Sequence, residues 1–259
     1  MAAVPGILRR WNPGVLPGIQ VWLDSSDTTK INSNINGTVN SIIDKTGNNV
    51  TLTQSNTLNR PSVGVDSGGR NILTFGSDRF LQTSNFPFNG PTSNLININV
   101  FTVDTYNSSE ENHLYYLASI DTSIGLSLTN NTVEVASSVL SRSLQVNKRD
   151  CNTNITRLTY NPIIRELYNL NIVANEPRSD IDQIATTTNI NNSLNNFTLG
   201  RTFNLSETTP SFFKGSMSEM VFYNMSNSNL EPLEGYLAWK WRLQSYLSNG
   251  HPYKNRPPS

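Results

Sequence analysis

"LEGYLAWKWRLQSYL", which runs from Leu233 to Leu247, is the stretch that decides the fold, because no earlier segment has a helical period of useful length. Ser228 and Glu231 fit a capping box, and Pro232 falls in the first turn. The sequence therefore predicts a helix over 228–247. Apolar side chains recur on one face of this helix at helical spacing: Leu230, Leu233, Leu237 and Trp241.

A single amphipathic helix cannot stabilise a helical domain by itself, so we expect it to seal one edge or end of a β-structure. Apolar stripes of this kind are usually buried. We therefore interpret the aromatic side chains of the helix as core rather than as a surface on which a ligand stacks. The predicted structural core residues are Trp22, Leu233, Leu237 and Trp241.

Short β-strands and turns account for the rest of the chain. Apolar and other side chains alternate in Gly18–Asp24, and Asn71–Gln82 gives two short runs around a turn at 76–78. Candidate strands recur about every ten residues, which is typical of an all-β sandwich or barrel. Phe212–Asn224 carries apolar residues on both sides of the alternation, so we predict a central strand with both faces covered.

The charge and cysteine content exclude several classes of function. The 259 residues carry no formal net charge and only 15% are charged, so no basic field exists to hold a nucleic-acid backbone. Cys151 is the only cysteine, which rules out an intramolecular disulfide and a cysteine-based zinc site. No stretch has the apolar core of a signal peptide or the length of a transmembrane helix, and we expect neither.

Several segments together carry a resemblance to a known family: "VLPGIQVWLDSSD" (Val15–Asp27), "IIDKTGNN" (Ile42–Asn49), "TLGRT" (Thr198–Thr202), "FFKGSMSEMVFYN" (Phe212–Asn224) and "LEGYLAWKWRLQSYLSNGHPYKNRPP" (Leu233–Pro258). They resemble the LamG-like jelly-roll domains of the concanavalin A-like lectin and glucanase superfamily, in the variant frequent in large DNA viruses and phages. The resemblance implies a two-sheet antiparallel jelly-roll sandwich over 18–247, terminal helix included. An extended N-terminal arm over 1–17 and a proline-containing tail over 248–259 would flank it. Members of the superfamily bind carbohydrate or protein, and some relatives hydrolyse glycans.

The hydrolase pattern of that superfamily is incomplete in this chain. Hydrolases that resemble laminarinases place acids as E-x-D-x-x-E, which aims a nucleophile and an acid at one sugar bond. The nearest segment has Asp180 and Asp182, but Ala185 stands where the third acid would be. The histidines, His113 and His251, have no nucleophile motif beside them. We therefore predict a protein that is not an enzyme and has no catalytic residues.

Two polar turns contain the candidate metal ligands. Asp24 and Asp27 flank a turn after the first strand, and Asp44 lies in a second turn. Carboxylate oxygens in such loops bind Ca²⁺, so these three aspartates are candidate ligands for calcium, which we expect as an optional rather than a required cofactor. The alternative is that each side chain bonds the backbone of its own turn.

Two hypotheses of different classes follow. The first is a non-catalytic structural or interaction protein of a virion, such as a minor capsid or surface-decorating component that assembles in the host cytoplasm. Its arms, 1–17 and 248–259, would contact other capsid proteins or further copies of the chain, with no nucleic acid and no membrane span. The alternative is a lectin-like carbohydrate-binding module, optionally assisted by calcium, in which Trp11, Tyr115 or Tyr116 stacks on a sugar.

Overall fold

The computed structural model of the chain describes residues 11–87, 98–106, 113–119, 124–129, 132–137, 141–145, 153–161, 166–171, 182–183, 194–201, 212–225 and 230–259. Within these ranges the chain forms two antiparallel β-sheets and one α-helix near the C-terminus, so the predicted fold class is confirmed. No helix in these ranges is long and apolar enough to cross a membrane.

The strands follow one another along the chain with these bounds: β1 (Ile19–Asp24), β2 (Ile31–Ser33), β3 (Val39–Ile43), β4 (Thr51–Thr53), β5 (Ser62–Val65), β6 (Asn71–Phe75), β7 (Leu81–Thr83), β8 (Ile98–Tyr106), β9 (His113–Ser119), β10 (Ile124–Thr129), β11 (Thr132–Ser137), β12 (Ser141–Gln145), β13 (Thr153–Asn161), β14 (Glu166–Asn171), β15 (Asp182–Gln183), β16 (Leu194–Leu199) and β17 (Gly215–Asn224). Helix α1 (Glu231–Lys240) follows β17. In the described part of the chain, the first sheet has eight strands in the order β15-β14-β13-β8-β17-β6-β5, and β1 also pairs with β17. The second sheet there has nine strands in the order β12-β11-β10-β9-β16-β7-β4-β3-β2.

Strand β17 is the centre of the first sheet. Along one edge it pairs with β8 from one end to the other. Along the opposite edge, β1 pairs with residues 219–223 and β6 pairs with residues 215–217, so these two short strands follow one another beside one long strand. At their junction the backbone N–H of Ser25 donates to the carbonyl oxygen of Ser218 at 3.1 Å. Strand β17 is buried from Gly215 to Tyr223, which confirms the predicted central strand with both faces covered.

One face of β17 packs against the second sheet through aromatic side chains. Phe222 of β17 meets Phe197 of β16 and Phe86 of the segment after β7, with ring centroids 4.7 to 5.3 Å apart. All three rings are fully buried. Burial of each such ring stabilises the fold by roughly 1.5–3 kcal/mol, and the rings join the two sheets into a sandwich.

Helix α1 covers the other face of β17, which corrects the expectation that it would seal an edge or end of the sandwich. Four strands contribute apolar side chains to this outer face, and a surface of that size must be buried. The helix and the residues after it cover it. The resulting buried cluster consists of Trp22, Phe101, Val103, Ile155, Val221, Tyr223, Leu230, Leu233, Leu237, Ala238, Trp241, Leu243 and Leu247.

The helix is shorter than the predicted 228–247. Its N-cap residue is Leu230, which makes no side-chain capping bond, and the Ser228 of the predicted capping box lies outside the described residues. At its C-terminus the chain turns back at Arg242, whose φ of 61° is left-handed. The N–H of Leu243 donates to Ala238 O at 2.7 Å, which together with a longer bond from Arg242 to Trp239 O makes a Schellman motif.

Both terminal segments pack on the body of the chain where they are described. Trp11 lies on Tyr236 with ring centroids 5.6 Å apart, and Tyr223 donates its hydroxyl proton to Pro13 O at 2.9 Å. In the tail, Tyr253 O accepts the indole proton of Trp239 at 2.8 Å. The tail therefore lies across the helix rather than extending away from it.

Gly235 tests how closely the tail packs on the helix. Replacing glycine by alanine inside a helix usually stabilises it by about 1 kcal/mol. Here, however, a Cβ at Gly235 would lie 2.5 Å from the Cβ of Tyr253. We therefore expect Gly235→Ala to lower the free energy of unfolding in urea by about 1–3 kcal/mol, because the tail must be displaced.

The matched control is the same substitution in a Tyr253→Gly background, where the clashing side chain is gone. There, Gly235→Ala should raise the free energy of unfolding by up to about 1 kcal/mol. Stabilisation of similar size in both backgrounds would show that the tail does not cover this side of the helix in solution.

Candidate functional site

The three aspartates predicted as calcium ligands lie in the turns that follow β1 and β3, and each bonds the backbone of its own turn. Asp24 Oδ1 accepts from the N–H of Ser26 at 3.1 Å, and Asp27 Oδ1 accepts from the N–H of Thr29 at 3.2 Å. Asp44 is buried, and its Oδ1 accepts from the N–H groups of Thr46 at 3.0 Å and Trp22 at 2.7 Å. Asp44 thus ties the second turn to strand β1.

Two lysines link the acidic groups into a row of alternating charge. Lys45 Nζ lies 2.8 Å from Asp24 Oδ2 and 2.9 Å from Asp27 Oδ2. Lys240 Nζ, from the last turn of helix α1, lies 2.7 Å from Asp24 Oδ1 and 2.9 Å from Glu219 Oε2. We call the row Asp27, Lys45, Asp24, Lys240 and Glu219 the charge chain. It connects the turn after β1 to the centre of β17 and to the helix.

Glu219 is the innermost member of the charge chain and has no exposed surface. Its Oε1 accepts the indole proton of Trp22 at 2.6 Å and the hydroxyl proton of Tyr236 at 3.2 Å, and its Oε2 accepts the indole proton of Trp241 at 2.7 Å. Two tryptophans predicted as core are therefore buried together with a carboxylate that bonds their polar atoms. No motif in the sequence marks Glu219 as a site residue. A glutamate in a strand with both faces covered is nevertheless a signal, because such a charge needs partners.

The protonation equilibria of these groups follow from burial and from their neighbours. Burial raises the pKa of Glu219, against the opposing effect of Lys240. Burial also acts to raise the pKa of Asp24. The charge of Lys240 and the hydrogen bonds from Lys240 and Lys45 outweigh this effect, so the pKa of Asp24 is lowered. The hydroxyl of Thr29, with Lys45, lowers the pKa of Asp27 to about 2.

The hydrogen bonds of the three aspartates favour a role in their own turns over a role as calcium ligands. The ammonium group of Lys45 already lies between the carboxylates of Asp24 and Asp27, where a shared cation would have to sit. Across the ranges that the structure describes, no group of three or more His, Cys, Asp or Glu side chains could hold a metal ion. The arrangement is suited to fixing the helix on the sheet.

The candidate stacking residues are not brought together. Trp11 is half-buried against Tyr236 and belongs to the packing beneath the N-terminal segment. Tyr115 and Tyr116 lie on β9, where they pair with Leu199 and Thr198 of β16. Of the incomplete hydrolase pattern, only Asp182 lies within the described residues, in β15. Cys151 lies outside them.

A second polar cluster joins the helix, strand β13 and the tail. Arg157 Nη1 lies 3.4 Å from Glu234 Oε1, and His251 Nε2 lies 3.2 Å from Glu234 Oε2. His251 Nδ1 accepts from the N–H of Tyr253 at 3.2 Å, so the neutral ring carries its proton on Nε2 and donates it to Glu234. Glu234 thus anchors the tail to the side of the helix.

Comparison with known proteins gives a fold and no sequence family. A scan against family profiles found no match, and neither did a comparison with curated proteins. Among solved structures, botulinum neurotoxin type C, whose cell entry depends on interaction with two ganglioside molecules, has a TM-score of 0.54 at 12% identity. The binding domain of botulinum neurotoxin DC in complex with rat synaptotagmin II has a TM-score of 0.54 at 11% identity.

The matched lengths differ among these structures. The chain spans about half the length of the two toxin chains, since the matches cover 83% of this chain but 50% and 51% of those. Domain 4 of AbnA, a GH43 extracellular arabinanase from Geobacillus stearothermophilus, in complex with arabinotriose, is matched over 92% of its length and 80% of this chain, with a TM-score of 0.52 at 11% identity. At such identities the likeness shows the fold alone, a β-sandwich consistent with a concanavalin-like jelly roll.

The Lys240–Glu219 pair can be tested by removing its positive partner. Lys240→Met keeps much of the side-chain volume but leaves Glu219 and Asp24 buried without this ammonium group. We expect the free energy of unfolding to fall by about 3–5 kcal/mol, the usual cost of leaving a buried charge uncompensated. Lys30→Met, at a half-exposed lysine with no ion-pair partner in the described ranges, is the control and should cost less than about 0.5 kcal/mol. Equal small effects of both substitutions would contradict the role of the charge chain.

Acidification tests the aspartate end of the charge chain. The pKa values of Asp24 and Asp27 lie below their ordinary 3.8, so the contribution of both carboxylates to stability is complete above that pH and is lost at more acidic pH. For Asp27, whose pKa is about 2, the loss occurs as the pH falls through about 2. Asp27→Asn can still accept the bond from Thr29 but carries no charge. We expect this variant to be less stable than wild type at pH 6 and to converge with wild type near pH 2, in urea denaturation at each pH.

The exposed Asp78 supplies the control for this pH series. Asp78→Asn should follow the wild-type curve across the whole range. Wild-type and Asp27→Asn curves that stay parallel down to pH 2 would show that the Asp27 carboxylate is not stabilised by Thr29 and Lys45.

Proposed function

We propose that this chain is a lectin-like binding domain with a carbohydrate ligand. The observation that carries the proposal is the likeness to domain 4 of the arabinanase, a domain in complex with arabinotriose that is matched over 92% of its length. The similar type C neurotoxin interacts with gangliosides, which adds a second glycan-binding case on this fold. Fold alone does not establish function, so the ligand must be tested on the chain itself.

The burial of the carboxylates argues against hydrolysis at the charge chain, and a saccharide site would lie elsewhere on the domain. A glycosidase needs two carboxyl groups that reach the same sugar bond. Asp24 and Glu219 share Lys240 beneath the helix, and Glu219 has no exposed surface. A saccharide therefore cannot approach this pair while the helix is in place.

The stacking residue of the proposed site is Tyr115 or Tyr116, because neighbouring residues of a strand point to opposite faces of the sheet and only one of the two rings can face a sugar. They lie on β9, an interior strand of the second sheet that has β10 on one side and β16 on the other. The face of an aromatic ring stacks on the apolar face of a sugar. Trp11 is not included, because its ring packs on Tyr236.

A glycan array probed with the labelled chain, in calcium and again in EDTA, tests the proposal. We expect binding to a defined set of saccharides, and about tenfold weaker binding in one of the two variants Tyr115→Ala and Tyr116→Ala, the one that removes the ring on the ligand's face of the sheet. Tyr246→Ala is the matched control, since Tyr246 is an exposed tyrosine outside β9. An array that stays blank under both conditions would contradict the proposal, and loss of binding in EDTA alone would assign a role to calcium.

The second candidate is the virion-associated structural role that the resemblance of the sequence to viral jelly-roll domains implies. The described tail packs on helix α1 through Trp239 and Tyr253, so contact with a neighbouring subunit through this segment would require it to detach. The two candidates are separated by deleting residues 1–10. Under the structural role the deletion abolishes incorporation into particles, whereas under the lectin-like role it leaves saccharide binding unchanged.

A further inference from the structure

Two arginine side chains converge on one glycine at the turn between β5 and β6. A Cβ at Gly68 would lie 2.8 Å from Nη1 of Arg70, 2.9 Å from Cζ of Arg242 and 3.0 Å from Nη1 of Arg242. Both guanidinium groups therefore lie within 3.0 Å of the same point. Any larger residue at position 68 would displace them, so this turn needs its glycine in order to let the two cations come together.

The positive charge at this turn is only partly compensated. Asp66 is the one carboxylate within 4.0 Å of Arg70 among the described residues, with its Oδ2 3.9 Å from Nη1. Its Oδ1 is already occupied, because it accepts from the N–H groups of Gly68 at 2.8 Å and Arg70 at 2.7 Å. Asp66, which also holds the turn, thus offers Arg70 one distant carboxylate oxygen, and Arg242 forms no ion pair with a described residue.

Donors on both arginines remain available within the described part of the chain. Nη1 of Arg70 is buried and has no hydrogen-bond partner there. Arg242 is exposed, and its side chain has no hydrogen bond or ion pair with any described residue. Buried polar groups are nearly always bonded, so an unused donor beside a second cation indicates a place for an acceptor from outside.

The backbone holds both arginines in fixed positions. Arg70 closes the hairpin, since its carbonyl oxygen accepts from the N–H of Asp66 at 2.8 Å. Arg242 occupies the position after helix α1 where glycine is the usual residue, with a left-handed φ of 61° that an L-residue adopts only at a cost in conformational energy. The Schellman bond from Leu243 to Ala238 fixes this turn. The backbone at both positions is therefore fixed, whereas the side chains beside the buried Nη1 of Arg70 must shift before an anion can reach it.

We propose that Arg70 and Arg242 form an anion-binding site that takes the carboxylate or sulfate group of an acidic saccharide. Guanidinium groups bind planar and tetrahedral oxyanions through paired N–H donors, and such charge-assisted bonds are stronger than neutral ones. The saccharide part of this assignment rests on the proposed lectin-like function. The anion site itself rests on the two arginines alone.

Binding to three soluble polysaccharides tests the site and separates the two sources of the anion. The probes are hyaluronan oligosaccharides, which carry carboxylates, dextran sulfate, which carries sulfates, and neutral dextran. Titration calorimetry on the full chain should show binding to at least one acidic probe and none to dextran, with affinity that falls as salt is added. Arg70→Gln and Arg242→Gln should each weaken that binding about tenfold, while Lys30→Gln should not.

Arg242→Gly distinguishes a ligand-binding role from a structural one. Glycine fits the left-handed position, so this variant should melt at a higher temperature than wild type and yet bind the acidic probe as weakly as Arg242→Gln. Wild-type affinity in both Arg70→Gln and Arg242→Gly would overturn the site, and an absence of binding to either acidic probe would overturn its assignment to an acidic saccharide.

A titration with inorganic sulfate separates the anion site from the proposed carbohydrate function. Inorganic sulfate is titrated into the wild-type chain and the Arg70→Gln variant, with the amide signals of residues 66–70 followed by NMR. Arginine-dependent shifts combined with a blank glycan array would sustain the anion site and overturn the carbohydrate function. If glycans on the array bind equally well after substitution of Arg70 or Arg242, and sulfate does not shift the amide signals, the anion site would be overturned and the carbohydrate function sustained.

Discussion

The structure depends on one buried carboxylate. Glu219 lies in the central strand with no contact with solvent, where an unpaired charge would cost several kcal/mol. It is accommodated because donors arrive from two distant parts of the chain, Trp22 in the first strand and Lys240 with Trp241 at the end of the helix. Apolar contact is non-directional and would tolerate several placements of a helix on a sheet. The carboxylate selects one placement, because any other leaves a charge without its partner.

Helix α1 is covered on one side by the first sheet and on the other by the tail, and this determines where a ligand can reach the helix. The inner side of the helix lies on the first sheet, and its outer side is closed by Tyr253 and His251 of the tail. The described helix therefore presents no open groove. The accessible chemistry is at its rim, where the chain leaves the helix at Arg242 and meets the turn that contains Gly68. Rigid elements thus hold the two arginines, as is usual when loops on a stable scaffold bind ligands.

Parts of this fold could be read from the sequence, and other parts depend on contacts that the sequence does not display. The alternation in β17 predicts a strand covered on both faces, since apolar residues occur at odd and even positions. The helix ends earlier than its apolar period suggests, because Arg242 takes a left-handed turn that only glycine would have signalled. The aspartates were identifiable as turn residues. The lysines that neutralise Asp24 are 21 and 216 positions away, and no local spacing predicts such pairs.

The wide separation of the partners of Glu219 also has a consequence for the order of folding. Trp22 precedes Glu219 by 197 positions, and Trp241 follows it by 22. During synthesis the sheet can assemble around β17 while the carboxylate of Glu219 still lacks its ammonium partner. The face of the first sheet that helix α1 covers therefore stays exposed to solvent until Lys240 and Trp241 leave the ribosome. Contacts of such long range slow folding, and the nascent chain exposes the apolar outer face meanwhile. Docking of helix α1 is the step that gives this carboxylate its ammonium partner, and until it occurs the apolar outer face remains open to chaperones and to aggregation.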